Sequence, residues 1–131
     1  MKYLLDTNAC IAFLHHSDSS VKHKLSRVSM DDVVLCAVVK AELYYGAQKS
    51  SRVERNMALM REFFASFESL PFDDVAAETY GRLRAYLEKR GEIIGPNDLL
   101  IAAIALTQGA TLITHNIGEF KRVPDLMFED W

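Results

Sequence analysis

Short apolar runs alternate with stretches of helical period along the chain. Residues 2–5 predict a strand, and the β-branched run Val33-Val34-Leu35-Cys36 predicts another. Thr111-Leu112-Ile113-Thr114 is a third, with Ser69–Phe72 and Leu126–Phe128 as shorter candidates. Between them, residues 8–14 suggest a short helix that Asp6, Thr7 or Asn8 would cap, and Ser17-Asp18-Ser19-Ser20 suggests a second cap leading a helix to about Val28. Val38–Gly46 places Val39, Leu43 and Ala47 at i, i+4 spacing. Val53, Met57, Met60, Phe64 and Phe67 form the apolar stripe of the next helix. Asp73 or Asp74 opens a helix running through Val75, Thr79, Leu83 and Leu87 until Gly91. The helix over 97–108 is apolar on nearly every face and ends at Gly109. Strands separated by helices imply parallel crossovers, hence a three-layer α/β domain with a central parallel sheet flanked by helices.

The 131 residues suit one domain, spanning 1–131, with one core. Half of them are hydrophobic, which excludes a disordered chain. The net charge of −3 excludes a broad basic footprint for duplex nucleic acid, although a nuclease whose own acids lower the charge stays open. Cys10 and Cys36 form no Cys-x-x-Cys pair, so both are expected to be reduced and buried. Met1-Lys2-Tyr3-Leu4-Leu5 imitates a signal segment, but Asp6, Thr7 and Asn8 interrupt it too early. Leu99–Leu106 is far shorter than the roughly 20 residues of a membrane span, so a cytoplasmic protein without membrane contact is expected.

Ligands of such sheets sit beyond the carboxyl ends of the strands, and there the chain collects acids. Asp6 ends the first strand and Asp98, after Gly95-Pro96-Asn97, opens the apolar helix. Glu42 lies among apolar neighbours, and Asn116 follows the strand 111–114. Taken singly, Asp6 serves equally as a helix cap and Asp98 as a dipole-favoured acid. Glu42 alone could be a surface residue and Asn116 a turn. Together they are hard oxygen ligands, which select Mg²⁺ or Mn²⁺ over zinc.

The chain resembles the PIN-domain ribonucleases, and within them the VapC-like toxins of bacterial toxin–antitoxin pairs. The resemblance rests on Tyr3-Leu4-Leu5-Asp6-Thr7-Asn8, Ala41-Glu42-Leu43-Tyr44-Tyr45-Gly46, the segments Ile94–Ala102 and Thr111–Asn116, Glu119–Pro124 and Glu129-Asp130-Trp131. It implies that Asp6, Glu42 and Asp98 form an acidic centre for Mg²⁺ or Mn²⁺. Asp6 and Asp98 would be direct ligands, with Glu42 binding through water or orienting it. Many members of the family carry a fourth acid where this chain has Asn116; an amide there binds metal or water without adding charge. Thr7 and Thr114 are expected to hydrogen-bond the ligands.

The resemblance further implies an endoribonuclease acting on structured RNA, often tRNA, a homodimer, and a cognate antitoxin. The antitoxin would lay an apolar helix in a groove formed by Ile11, Tyr44, Met57, Met60 and Phe64, and bring an arginine to the acids. Tyr45, Phe63, Phe13 and Leu14 are further candidates, although such stripes are also what a core looks like. Lys40, Lys49, Arg52, Arg55, Arg82, Arg84, Lys121 and Arg122 are dispersed, as on solvated faces. His15, His16 and His23 fit no zinc spacing, and His115 adjoins the acids on an exposed turn. Two other classes stay open: a catalytically silent PIN-like binding module, and a phospho-acceptor receiver, for which the chain lacks an acceptor Asp after a central strand.

Overall fold

The structure, a computed structural model, describes residues 1–16 and 19–131. Its sheet has five parallel strands in the order β3-β2-β1-β4-β5, with β1 (Tyr3–Leu5) at the centre. Tyr3 is in register with Val33 of β2 (Val33–Cys36) and with Thr111 of β4 (Thr111–Ile113). β3 (Glu68–Leu70) and β5 (Phe128–Glu129) form the edges. Every residue of β2 and β4 is buried, as a parallel sheet covered on both faces requires.

The covering helices are α1 (Thr7–His15), α2 (Ser20–Leu25), α3 (Ala37–Gln48), α4 (Val53–Ala65), α5 (Asp74–Lys89), α6 (Pro96–Gln108) and the single turn α7 (Ile117–Phe120). α6 is the core helix: Leu99, Ile101, Ala102, Ala103, Ile104 and Ala105 are all buried. Gly109 closes it at φ 62°, satisfying its last carbonyls in the left-handed conformation that a Cβ disfavours. No neighbour lies within 4 Å of a Cβ placed there, so the cost of Gly109→Ala is purely conformational. The expected loss is about 1 kcal/mol in urea denaturation; an unchanged midpoint would mean that the cap contributes nothing. Cys10 and Cys36 are buried free thiols, as expected.

Several boundaries shift from the sequence expectation, each for a local reason. α2 stops at Leu25, not Val28, because the Ser26 hydroxyl donates to the His23 carbonyl at 2.5 Å and turns the chain. Ser19 is its cap, accepting the Lys22 N–H at 3.1 Å; Ser17 and Asp18 of that expected capping run lie outside the described residues. β3 covers Glu68–Leu70, not Ser69–Phe72, since Pro71 has no N–H to continue the ladder. β5 covers Phe128–Glu129, not Leu126–Phe128; Asp125, at φ 65°, turns the chain just before it. In α5 the Asp73 cap, accepting the Ala76 N–H at 2.9 Å, sets the phase. Ala76, Thr79, Leu83 and Leu87 therefore face inward and Val75 stays 59% exposed. α4 ends at Ala65, so Phe67 packs edge-on against Phe63 from beyond the helix.

Candidate functional site

The strand order reverses direction at β1, with β2 on one side and β4 on the other. The crevice beyond their carboxyl ends is where such sheets bind ligands. Asp6 stands there as the N-cap of α1, its Oδ1 accepting the Ala9 N–H at 2.8 Å and its own N–H donating to the Ile113 carbonyl at 3.1 Å. It is 6% exposed. Thr114, buried just past β4, hydrogen-bonds the Asp6 carboxylate through its hydroxyl. The same hydroxyl accepts the Asn116 N–H at 2.9 Å.

Glu42 projects from the second turn of α3, where Thr7 Oγ1 donates to its Oε1 at 2.6 Å. Asp98 is the third residue of α6, behind Pro96 in the first helical turn and Gly95 at the N-cap. The positive end of the helix dipole favours an acid at this place. Asn116 Nδ2 donates to Asp98 Oδ2 at 3.3 Å and also to Glu119 Oε2. Glu119 Oε1 accepts the Gly95 N–H at 2.9 Å, which ties α7 to the start of α6.

Burial sets the electrostatics. It pushes the Asp6 carboxyl above the ordinary range, against the Thr114 and Ala9 hydrogen bonds and the charge of His115, while Glu42 adds to the rise. Burial also raises Asp98, together with the hydrogen bond and charge of Glu119 and the charges of Asp6 and Glu42, to about 7. At Glu119 burial pushes upward too, but the Gly95 N–H, Asp98 and Asn116 outweigh it and the carboxyl lies below its usual value. A proton held between these two therefore rests on Asp98.

Among the described residues the ion pairs are Lys2–Glu68, Arg84–Glu88, Arg90–Glu92 and His115–Asp130. None neutralises Asp6, Glu42, Asp98 or Glu119. Partly buried carboxylates that repel one another and form no ion pair suit a hard divalent ion, and their oxygen-only donor set matches Mg²⁺ or Mn²⁺ chemistry. Among the described residues no three His, Cys, Asp or Glu side chains are grouped closely enough to hold a metal ion as they stand.

The structure thus brings Asp6, Glu42, Asp98, Asn116, Thr7 and Thr114 to one edge. It adds Glu119, to which the sequence reading gave no role. Its signal was faint: a position three residues past Asn116 and next to Phe120, which is fully buried.

The apolar groove differs in detail from expectation. A cavity of about 230 Å³ is lined by Thr7, Ile11, Leu14, Glu42, Leu43 and Met60, among others. Tyr44, Met57 and Phe64 are not part of this lining. Phe64 is buried, with Tyr44 edge-on at 5.0 Å and Lys40 over its ring at 5.1 Å, so it belongs to the packing of α3 on α4. Phe63 is likewise buried, 5.7 Å from Phe13. Thr7 and Glu42 belong to both groove and acidic cluster, so the two are continuous.

The sequence profile of the PIN domain matches residues 3–126. The "Ribonuclease VapC2" of Rickettsia felis is 42% identical over 132 residues, covering 100% of this chain and 98% of that protein. The "tRNA(fMet)-specific endonuclease VapC" of Salmonella typhimurium is 34% identical over 131 residues, with the same coverage. The crystal structure of VapBC2 from Rickettsia felis, bound to a DNA fragment from their promoter, superposes with a TM-score of 0.92 at 39% identity, covering 100% of this chain and 99% of that one.

Proposed function

We propose that this chain, which belongs to the PIN-domain family, is the toxin of a toxin–antitoxin pair and a divalent-metal-dependent endoribonuclease that hydrolyses phosphodiester bonds in tRNA. The observation that carries the chemistry is the cluster of Asp6, Glu42 and Asp98, without a cationic partner among the described residues, at the crevice of a parallel sheet. Asp6 and Asp98 would hold Mg²⁺ or Mn²⁺, with Glu42 reaching it through water. Such an ion, when bound, supplies a water of lowered pKa and shields the charge that builds on the phosphate.

The chain's own residues do the rest. Glu42, steadied by Thr7, orients the attacking water. Thr114 keeps Asp6 aimed into the crevice. The Asn116 amide brings no charge, but it holds Asp98 and Glu119 side by side, and Glu119 supplies the fourth carboxylate of the centre. Hydrolysis joins water to phosphorus and releases one RNA fragment from the P–O bond that breaks. The direct test is incubation of antitoxin-free protein with total bacterial RNA in Mg²⁺, Mn²⁺ or EDTA, followed by mapping of the cut ends. Discrete cuts that need metal support the assignment. Intact RNA in every arm, from folded protein, rejects it in favour of a silent binding module.

The partner is a cognate antitoxin whose apolar helix occupies the groove of Ile11, Leu14 and Met60 and whose arginine reaches Glu42 and its neighbours. Met60→Asp sets a charge in the groove wall and is expected to weaken antitoxin binding by about 10- to 100-fold in calorimetry, with tRNA cleavage retained. Equal affinity for the two proteins would place the antitoxin elsewhere. A homodimer and a cytoplasmic location complete the proposal; no helix among the described residues is long and apolar enough to cross a membrane. Sedimentation of the antitoxin-free protein checks the dimer.

A further inference from the structure

His115 is an exposed imidazole fixed on both sides. Its backbone lies between Thr114, whose hydroxyl holds Asp6, and Asn116, whose amide holds Asp98. Its Nδ1 pairs with the carboxylate of Asp130. Asp130 is equally constrained. Its neighbour Glu129 accepts the Thr114 N–H at 3.0 Å, continuing the pairing of β4 with β5. Its other neighbour, Trp131, is buried, 5.2 Å from the Tyr3 ring, with its indole N–H donating to Glu129 Oε1 at 3.1 Å.

An ordinary surface pair spends side-chain entropy and returns little. Here both backbones are locked before the pair forms, although the side chains are 51% and 54% exposed. His115 stands between Thr114 and Asn116, both of which lie at the acidic edge, so it borders the place where a scissile phosphate must come. In the neutral imidazole a carboxylate facing Nδ1 favours the proton on that atom, which leaves Nε2 with its lone pair, and Nε2 has no partner among the described residues. A free lone pair seeks a donor. Along a nucleic acid backbone, phosphate oxygens only accept, whereas the ribose 2′-hydroxyl donates and exists only in RNA.

We propose that the His115–Asp130 pair is a specificity device: Asp130 orients the ring, and His115 Nε2 accepts a hydrogen bond from a ribose 2′-hydroxyl next to the cleaved bond. The proposal rests on the ribonuclease assignment, and its test separates the two. Binding is measured by anisotropy in the Asp6→Asn background, with a tRNA(fMet) transcript and the DNA strand of the same sequence as probes. Adding His115→Ala is expected to lower the RNA-to-DNA affinity ratio about five- to tenfold, one hydrogen bond's worth. Adding Asp130→Ala, which frees the ring, should lower it by a smaller factor. The Mn²⁺-induced rise in melting temperature of single His115→Ala should match that of the unaltered chain, showing an intact acidic cluster. Equal weakening on RNA and DNA means a plain phosphate contact and overturns the proposal, as does no weakening at all. If the unaltered chain cuts no RNA in any metal, the nuclease assignment falls, while the RNA-to-DNA ratio still judges His115.

Discussion

Asp6→Asn is expected to keep the fold and lose tRNA cleavage by at least about 10²- to 10³-fold, the scale on which removing one transition-state stabilising group acts. Asparagine is as good a helix cap as aspartate, so the bond from the Ala9 N–H survives the exchange. What disappears is the charge. Burial raises the Asp6 carboxyl, so its ionised form is a burden on the metal-free protein, and the asparagine variant should melt no lower than the parent. Asp6→Ala should lose activity to the same degree and also lose about 1 kcal/mol of stability with the cap. Cleavage assays beside denaturation curves for both variants separate charge from cap. An Asp6→Asn protein that cuts at the parental rate would remove Asp6 from the chemistry.

In EDTA, the stability of the protein is expected to fall as pH rises from about 4 to 7, and Asp98→Asn should flatten that fall. The sign follows from the direction of the shift. Asp98 has a folded value of about 7 against an ordinary 3.8, so between these limits the folded state holds a proton that the unfolded chain has released. Stability falls with pH wherever the native state binds more protons. One unit corresponds to about 1.4 kcal/mol, but partial exposure discounts it, leaving on the order of 1–2 kcal/mol. Added Mn²⁺ should reverse the trend at pH 8, where the carboxylate is free to bind, and act weakly at pH 5, where a proton competes. Urea midpoints at the two pH values, with and without Mn²⁺, read both effects. Coincident pH profiles for the parent and Asp98→Asn would remove Asp98 as the group responsible.

The acids at the sheet edge were legible because each follows or opens an unmistakable element. Asp6 closes Tyr3-Leu4-Leu5, and Asp98 precedes eight apolar residues. Glu42 was marked only by its apolar neighbours, a pattern that a helix-surface acid can share, and the family resemblance gave it weight. Glu119 went unassigned because its role is tertiary: it accepts the N–H of Gly95, 24 residues away. The lining of the cavity departs from the expected groove for a similar reason. An apolar stripe on α4 shows that Met60 and Phe64 lie near one another on the helix, but not that Phe64 is claimed by α3 while Met60 is left at a cavity. Strand ends were uncertain because two or three residues are too few to show a period, and what stopped them was Pro71 and the turn at Asp125.

The acidic edge is welded to the most buried parts of the molecule. Asp6 extends the central strand by one hydrogen bond, and Asp98 stands at the head of a helix that is core on nearly every side. No hinge separates these carboxylates from the interior, so fraying cannot quiet them; their geometry should persist until the whole molecule melts. Such a protein is active from the moment it folds. Restraint has to come from outside, as a plug over the crevice or as destruction of the entire chain, and a cell that makes it must supply the plug at least as fast as the blade.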